Sequence, residues 1–170
     1  ALAQYGIAPR DLHNQRYYNN ATYRVVTADG QQYVLRVTSN HHGEERLRSE
    51  MQWLRAMQGD ADLRVPDPVA ALDGRFVVQA SAPAVPEPRW CNVFRWRDGT
   101  LIAEERMSAA DFGRMGAAGA HLHQRSVAFV PPTGFDRPRW DEEFCLDPSV
   151  DSTYQCILAH LRRHFPPDAV

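Results

Sequence analysis

Residues 32–57, QYVLRVTSNHHGEERLRSEMQWLRAM, decide the fold. Gln32 to Val37 is a β-prone run in which Arg36 stands among apolar neighbours. Glu44 to Met57 reads as a helix, because Leu47, Met51, Leu54 and Met57 fall on one stripe at helical spacing. Glu50 sits three residues after Leu47 and four before Leu54, which puts it at the edge of the buried face. Burying an unpaired carboxylate is costly, so Glu50 needs a partner. Arg36 lies fourteen residues earlier on the preceding strand. A sheet-borne cation fixed by a helix-borne acid can hold polyphosphate, since the acid orients the charge that faces the phosphates. The same spacing also suits a surface strand arginine beside an ordinary helix glutamate, and spacing alone does not choose between them.

Working outward, the chain up to about residue 100 predicts five short antiparallel strands. Tyr23 to Thr27 and Gln32 to Val37 are joined across Asp29-Gly30, a strong hairpin signal. Val69 to Leu72 and Arg75 to Ala80 flank a second such turn, Asp73-Gly74. Trp90 to Trp96 alternates bulky residues and runs into a third, Asp98-Gly99. Val65-Pro66-Asp67-Pro68 breaks the chain between helix and second hairpin.

Beyond residue 100 the pattern turns helical. Ser108 with Asp111 three residues on predicts a capping box, and Phe112, Met115, Gly119 and Leu122 continue that helix on one face. Glycines at 113, 116 and 119 each cost about 1 kcal/mol of helix propensity against alanine, so they predict close packing on a neighbour. A Pro-rich loop spans Val130 to Arg139. A last helix is predicted over Ser152 to Phe165, burying Tyr154, Ile157, Leu158, Leu161 and Phe165, until Pro166-Pro167 stops it. The predicted class is α+β.

Composition narrows the function. The 170 residues, 44% hydrophobic and 24% charged, describe a globular chain and exclude collagen, disorder and coiled coil. They suit one ordinary domain or a fragment of a larger one. Nineteen basic against 21 acidic residues give net −2, which offers no case for a nucleic-acid or anionic-membrane partner. No apolar run approaches the roughly 20 residues of a membrane helix. The start, Ala1 to Gly6, lacks the pattern of a signal peptide. Cys91, Cys145 and Cys156 are odd in number and far apart, which predicts a reduced, cytoplasmic chain and makes the sequon at Asn20 coincidental. All 19 basic residues are arginine, so chemistry that needs a lysine is excluded unless arginine substitutes.

The order of these pieces carries more than any one of them. An Asn-rich loop (Asn19-Asn20-Ala21-Thr22-Tyr23-Arg24-Val25) precedes the Asp-Gly hairpin, the Leu-Arg-Val strand and the helix Ser49-Glu50-Met51-Gln52-Trp53-Leu54. Val65-Pro66-Asp67-Pro68-Val69, the strand Val93-Phe94-Arg95-Trp96 and a helix ending Gly119-Ala120-His121-Leu122-His123 follow. From about residue 15 to 141 this string resembles the aminoglycoside phosphotransferase and choline kinase-like family, a bacterial small-molecule branch of the protein kinase-like fold.

The resemblance implies a nucleotide-binding N-terminal lobe over 1–97, a hinge at about 94–97, and the first helices of a mostly helical lobe over 98–170. Arg36 stands where the family usually has its phosphate-binding lysine and where several branches write arginine, and Glu50 matches the acid that pairs with it. Tyr18 to Tyr23 matches the nucleotide-covering turn without its glycines. Phe94 would line the base pocket, and backbone groups of Arg95 and Arg97 would bind adenine. The implied chemistry is transfer of the ATP γ-phosphate to a hydroxyl of a small molecule (aminoglycoside, choline or homoserine-like), with Mg²⁺ required.

One departure is large. The family's catalytic loop, approximately His-x-Asp-x-x-x-x-Asn, and its later magnesium-binding Asp do not occur in these 170 residues. Asp60-Ala61-Asp62 lies in the loop after the acidic helix, the wrong place for that role. In the family those motifs come later than Val170, so the chain reads as truncated and inactive alone, its metal ligands outside it. The alternative is a degenerate, non-catalytic domain that binds nucleotide or a partner protein. His121 and His123, two apart on a helix, point to different faces and read as packing or solvated residues; His41-His42 has no supporting ligand cluster. Trp90, Trp96 and Trp140 read as core or interface, and Arg162-Arg163 as a solvated face.

Overall fold

Alternation along Trp90-Cys91-Asn92-Val93-Phe94 organises the molecule, because its two sets of side chains enter two separate cores. The computed structural model describes residues 1–17, 20–39, 43–60, 62–83, 85–100 and 102–137. The chain divides into two units, 1–135 and 136–170, and the elements below lie in the first. In chain order they are strands β1 (Pro9–Tyr17), β2 (Asn20–Thr27) and β3 (Gln32–Thr38), helix α1 (Glu44–Ala56), strands β4 (Val78–Ala80) and β5 (Arg89–Arg95), and helix α2 (Ala109–Ala128). The strands form one antiparallel sheet in the order β1-β2-β3-β5-β4.

One face of the sheet packs Val25, Leu35, Val78, Cys91 and Val93 against Tyr5, Ile7 and Ala71. Tyr5 enters from a 3₁₀ turn that closes at Gly6, where φ is +68° and a side chain would be strained. The Tyr5 hydroxyl lies 3.1 Å from both the Phe76 and the Cys91 carbonyl oxygens. The other face receives α1, whose Leu47, Met51 and Leu54 are buried against Val65, Val77 and Phe94. Each such side chain contributes about 1.5–3 kcal/mol by burial. The helix begins with Glu44 and Glu45 and has Arg55 in its last turn, both favourable to its dipole. Its stripe and start are those the sequence predicts, and it ends one residue earlier, at Ala56, with Met57 as the cap.

Three strand assignments are corrected. β1 is absent from the sequence reading because Pro9-Arg-Asp-Leu-His-Asn-Gln-Arg-Tyr shows no alternation. It is an edge strand with two register irregularities, and Leu12 is half exposed, so neither face imposes a pattern. Val69–Leu72 is not a strand. The Val69 N–H donates to the Val93 carbonyl (2.8 Å) and the Arg95 N–H to the Asp67 carbonyl (2.9 Å), beside an isolated Pro68–Phe94 bridge. Pro66 and Pro68 have no N–H to extend that ladder. Of Arg75–Ala80, the last three residues alone form a strand, and the same edge of β5 takes them at Arg89–Cys91. The Asp73-Gly74 turn is present, with Gly74 at φ +85°.

Ser108 caps α2 as predicted, accepting from the Asp111 N–H while the Asp111 carboxylate accepts from the Ser108 N–H. The packing predicted from the three glycines is not found among the described residues. Among the described residues nothing lies within 4 Å of a Cβ built on Gly113, Gly116 or Gly119, and Phe112 and Met115 are exposed. No helix among the described residues is long and apolar enough to cross a membrane. The predicted last helix, Trp140, Cys145, Cys156, Arg162-Arg163 and His41-His42 lie outside the described residues.

Candidate functional site

β3 carries Arg36 to a point directly opposite Asn92 on β5 in the antiparallel register. Side chains opposite one another share a face, here the one that α1 covers. Arg36 Nη1 donates to Glu50 Oε1 (2.9 Å) and Nη2 to Oε2 (2.7 Å), a bidentate fork. Its Nε donates to Asn92 Oδ1 (3.0 Å), and its Cζ lies 5.2 Å from the centre of the Phe94 ring. The Arg36 and Glu50 side chains are 19% and 18% exposed, so the pair is largely shielded yet open on one side. The arrangement is a cation fixed by an acid at the wall of a cleft.

That cleft is a cavity of about 390 Å³. Arg36, Glu50, Phe94, Arg95 and Arg97, all five residues singled out in the sequence, line it together with Val34, Val65 and Trp96. Its volume lies within the about 300–1,000 Å³ of small-molecule sites, and its walls mix aromatic and aliphatic groups with charged side chains, Arg64 among them. Trp96 stacks against Arg24, whose Cζ is 4.7 Å from the indole. The Arg95 N–H is already donated to Asp67, so a base could meet Arg95 through its carbonyl and not its N–H. Two residues past Arg36 on the same face, Thr38 Oγ1 and, across the β2–β3 ladder, Asn20 Oδ1 are buried without a hydrogen-bond partner among the described residues.

Sequence reasoning missed two features. Asn92 sits within a run of bulky core residues, and a buried amide there was a readable sign of a polar partner. Asp60 and His121, 61 positions apart, meet at 2.8 Å between Oδ2 and Nε2, with Arg125 Nε 3.3 Å from the same oxygen. The His121 hydrogen bond, more than any other contact, holds the Asp60 carboxyl below the usual carboxylate range. Asp62 brings a third ligand-type atom within 4.8 Å, but the arginine and histidine already engage Asp60. His123 is exposed and not part of this group.

Comparison with known proteins agrees with this geometry. The model of the phosphotransferase enzyme family matches residues 14–164. The chain is similar to a microcompartment-associated aminopropanol kinase, with 34% identity and a TM-score of 0.70 over 85% of this chain and 44% of that one. It is also similar to the amicoumacin kinase hAmiN, solved in complex with AMP-PNP, Ca²⁺ and Ami, at 21% identity and a TM-score of 0.69 over 90% of this chain and 46% of that one. At that identity the second likeness shows the fold alone. The chain spans less than half the length of either kinase. No curated protein matches it in sequence. The five-stranded antiparallel sheet with α1 across one face is a kinase-like N-terminal lobe.

Proposed function

The chain belongs to the phosphotransferase enzyme family, and from that premise we propose that it is the nucleotide-binding part of an ATP-dependent kinase that phosphorylates a hydroxyl of a small molecule. The observation that carries the reading is Arg36 held by Glu50 in a cavity floored by Phe94. Bound ATP would lie with adenine between Val34 and Phe94, near the Arg95 carbonyl and the Arg97 backbone at a hinge over 94–97 between the lobes 1–97 and 98–170. Its phosphates would meet the N–H groups of Arg36 that Glu50 and Asn92 leave open. Fixing that charge beforehand is how such a site contributes, since positioning and electrostatics do most of the work in phosphoryl transfer.

In the reaction the acceptor oxygen bonds to the γ-phosphorus, the bond to the β,γ-bridging oxygen breaks, ADP leaves, and the hydroxyl proton passes to a base. Neither that base nor a magnesium site is offered by the described residues of the cavity. Its carboxylate, Glu50, has both oxygens engaged by Arg36. Support for the acceptor class comes from the 34% identical aminopropanol kinase, which makes a small amino alcohol the first acceptor to test. The sequence has no His-x-Asp-x-x-x-x-Asn loop, so this chain alone is expected to bind ATP without turnover.

The test is calorimetric titration of ATP into the folded chain, followed by an ADP-release assay. The reading expects one saturable site and no ADP. A folded chain with no ATP binding contradicts it. A protein extended to the length of its kinase relatives that still makes no ADP with any amino alcohol favours a binding-only domain.

A further inference from the structure

We propose that the buried Asn92 is a positioning residue that makes arginine, and not the lysine usual in the family, the working cation at position 36. The proposal rests on the nucleotide reading above. Asn92 is 0% exposed, opposite Arg36 on β5. Its Oδ1 accepts from Arg36 Nε at 3.0 Å, while its Nδ2 faces the Met51 sulfur at 3.8 Å, a weak acceptor. A buried amide oxygen requires a donor, and here it is the inner nitrogen of the guanidinium.

That atom is what lysine lacks. Counting from Cα, lysine places a methylene where arginine has Nε, so a lysine at 36 would turn a carbon toward Asn92 Oδ1 and leave it buried without a partner. Its ammonium could reach Glu50, but the second anchor would be gone. Arginine satisfies both. Three of its five N–H groups go to Asn92 and Glu50, and Phe94 lies 5.2 Å from its Cζ, which fixes the plane. Two N–H groups then keep a set direction for phosphate oxygens. Without Asn92 the Arg36–Glu50 pair loses its hydrogen bond to β5 and keeps only the Phe94 ring contact there, so the fork is less firmly held.

The experiment is a double-mutant cycle on the full chain, with ATP and adenosine as the two probes and calorimetric affinity as the readout. Asn92→Leu keeps the side chain's bulk in an apolar neighbourhood, so folding survives. It should weaken ATP about tenfold, the effect of one lost hydrogen bond to a charged group, and leave adenosine unchanged. Arg36→Lys should also weaken ATP, and R36K/N92L should recover part of that loss because no amide is left unpaired. The inference is overturned if N92L leaves ATP affinity intact, if it weakens ATP and adenosine equally, or if the two substitutions are additive. Should the wild-type chain bind no ATP, the nucleotide reading itself falls; wild-type binding with an additive cycle removes this inference alone.

Discussion

Arg36 and Glu50 meet through two parallel hydrogen bonds of 2.9 and 2.7 Å, with less than a fifth of either side chain exposed. Removing the acid therefore strands a shielded guanidinium with Asn92 as its remaining anchor. Glu50→Ala is expected to cost about 1–3 kcal/mol of stability, the range for an unpaired, partly buried charge. Urea unfolding measures the stability and ATP titration the affinity, and both should fall. An unchanged urea midpoint would mean that the pair is a surface contact.

The Tyr5 hydroxyl serves the carbonyls of Phe76 and Cys91 and ties the N-terminal turn to β5. Tyr5→Phe should cost about 1–2 kcal/mol in denaturant unfolding, because the single O–H shared by the buried Cys91 carbonyl and the part-buried Phe76 carbonyl is lost. Burial pushes the phenol pKa well above its usual value, so the folded state holds Tyr5 neutral. The sign follows: its contribution is present below about pH 10, where the unfolded phenol is also protonated, and is lost as pH rises past that point. Stability curves of wild type and Y5F should converge in that alkaline range.

Asp60 joins the segment after α1 to α2 through His121 and Arg125. Its carboxyl is held below the usual range, first by the His121 bond. A depressed carboxylate contributes above its unfolded pKa of about 4 and loses that contribution as pH falls through the lower folded value. Asp60→Asn should lower the melting temperature at pH 7, and the gap to wild type should close below about pH 4. A gap that persists at acid pH would trace the effect to packing and not to charge.

The Ser108–Asp111 capping box starts a helix with no buried residue among those described. Ser108→Ala should remove about 1 kcal/mol of local helix stability. Amide exchange in the first turn of α2 should speed up while exchange in β3 and β5 stays unchanged.

Local chemistry was legible in the sequence and distant chemistry was not. The α1 stripe, the capping box, the Asp29-Gly30 and Asp73-Gly74 turns and the Arg36/Glu50 spacing are each set by residues a few positions apart or on successive elements, whereas Asp98-Gly99, expected as a third turn, forms none. Their order alone carried the family resemblance. β1 stayed hidden because an exposed edge imposes no alternation, and Val69–Leu72 read as a strand because the cost of two prolines to a ladder shows only against its partner. Asn92 and the Asp60–His121 contact depend on residues 56 and 61 positions away that the fold brings together. The glycines of α2 predicted a neighbour that the described residues do not supply.

The most direct measurement is calorimetric titration of ATP into the wild-type chain and into Arg36→Ala, with circular dichroism confirming that both are folded. The account predicts saturable binding by wild type and at least about tenfold weaker binding by the variant, from the loss of a charged donor to phosphate. Equal affinity in the two folded proteins, or none in wild type, would contradict it.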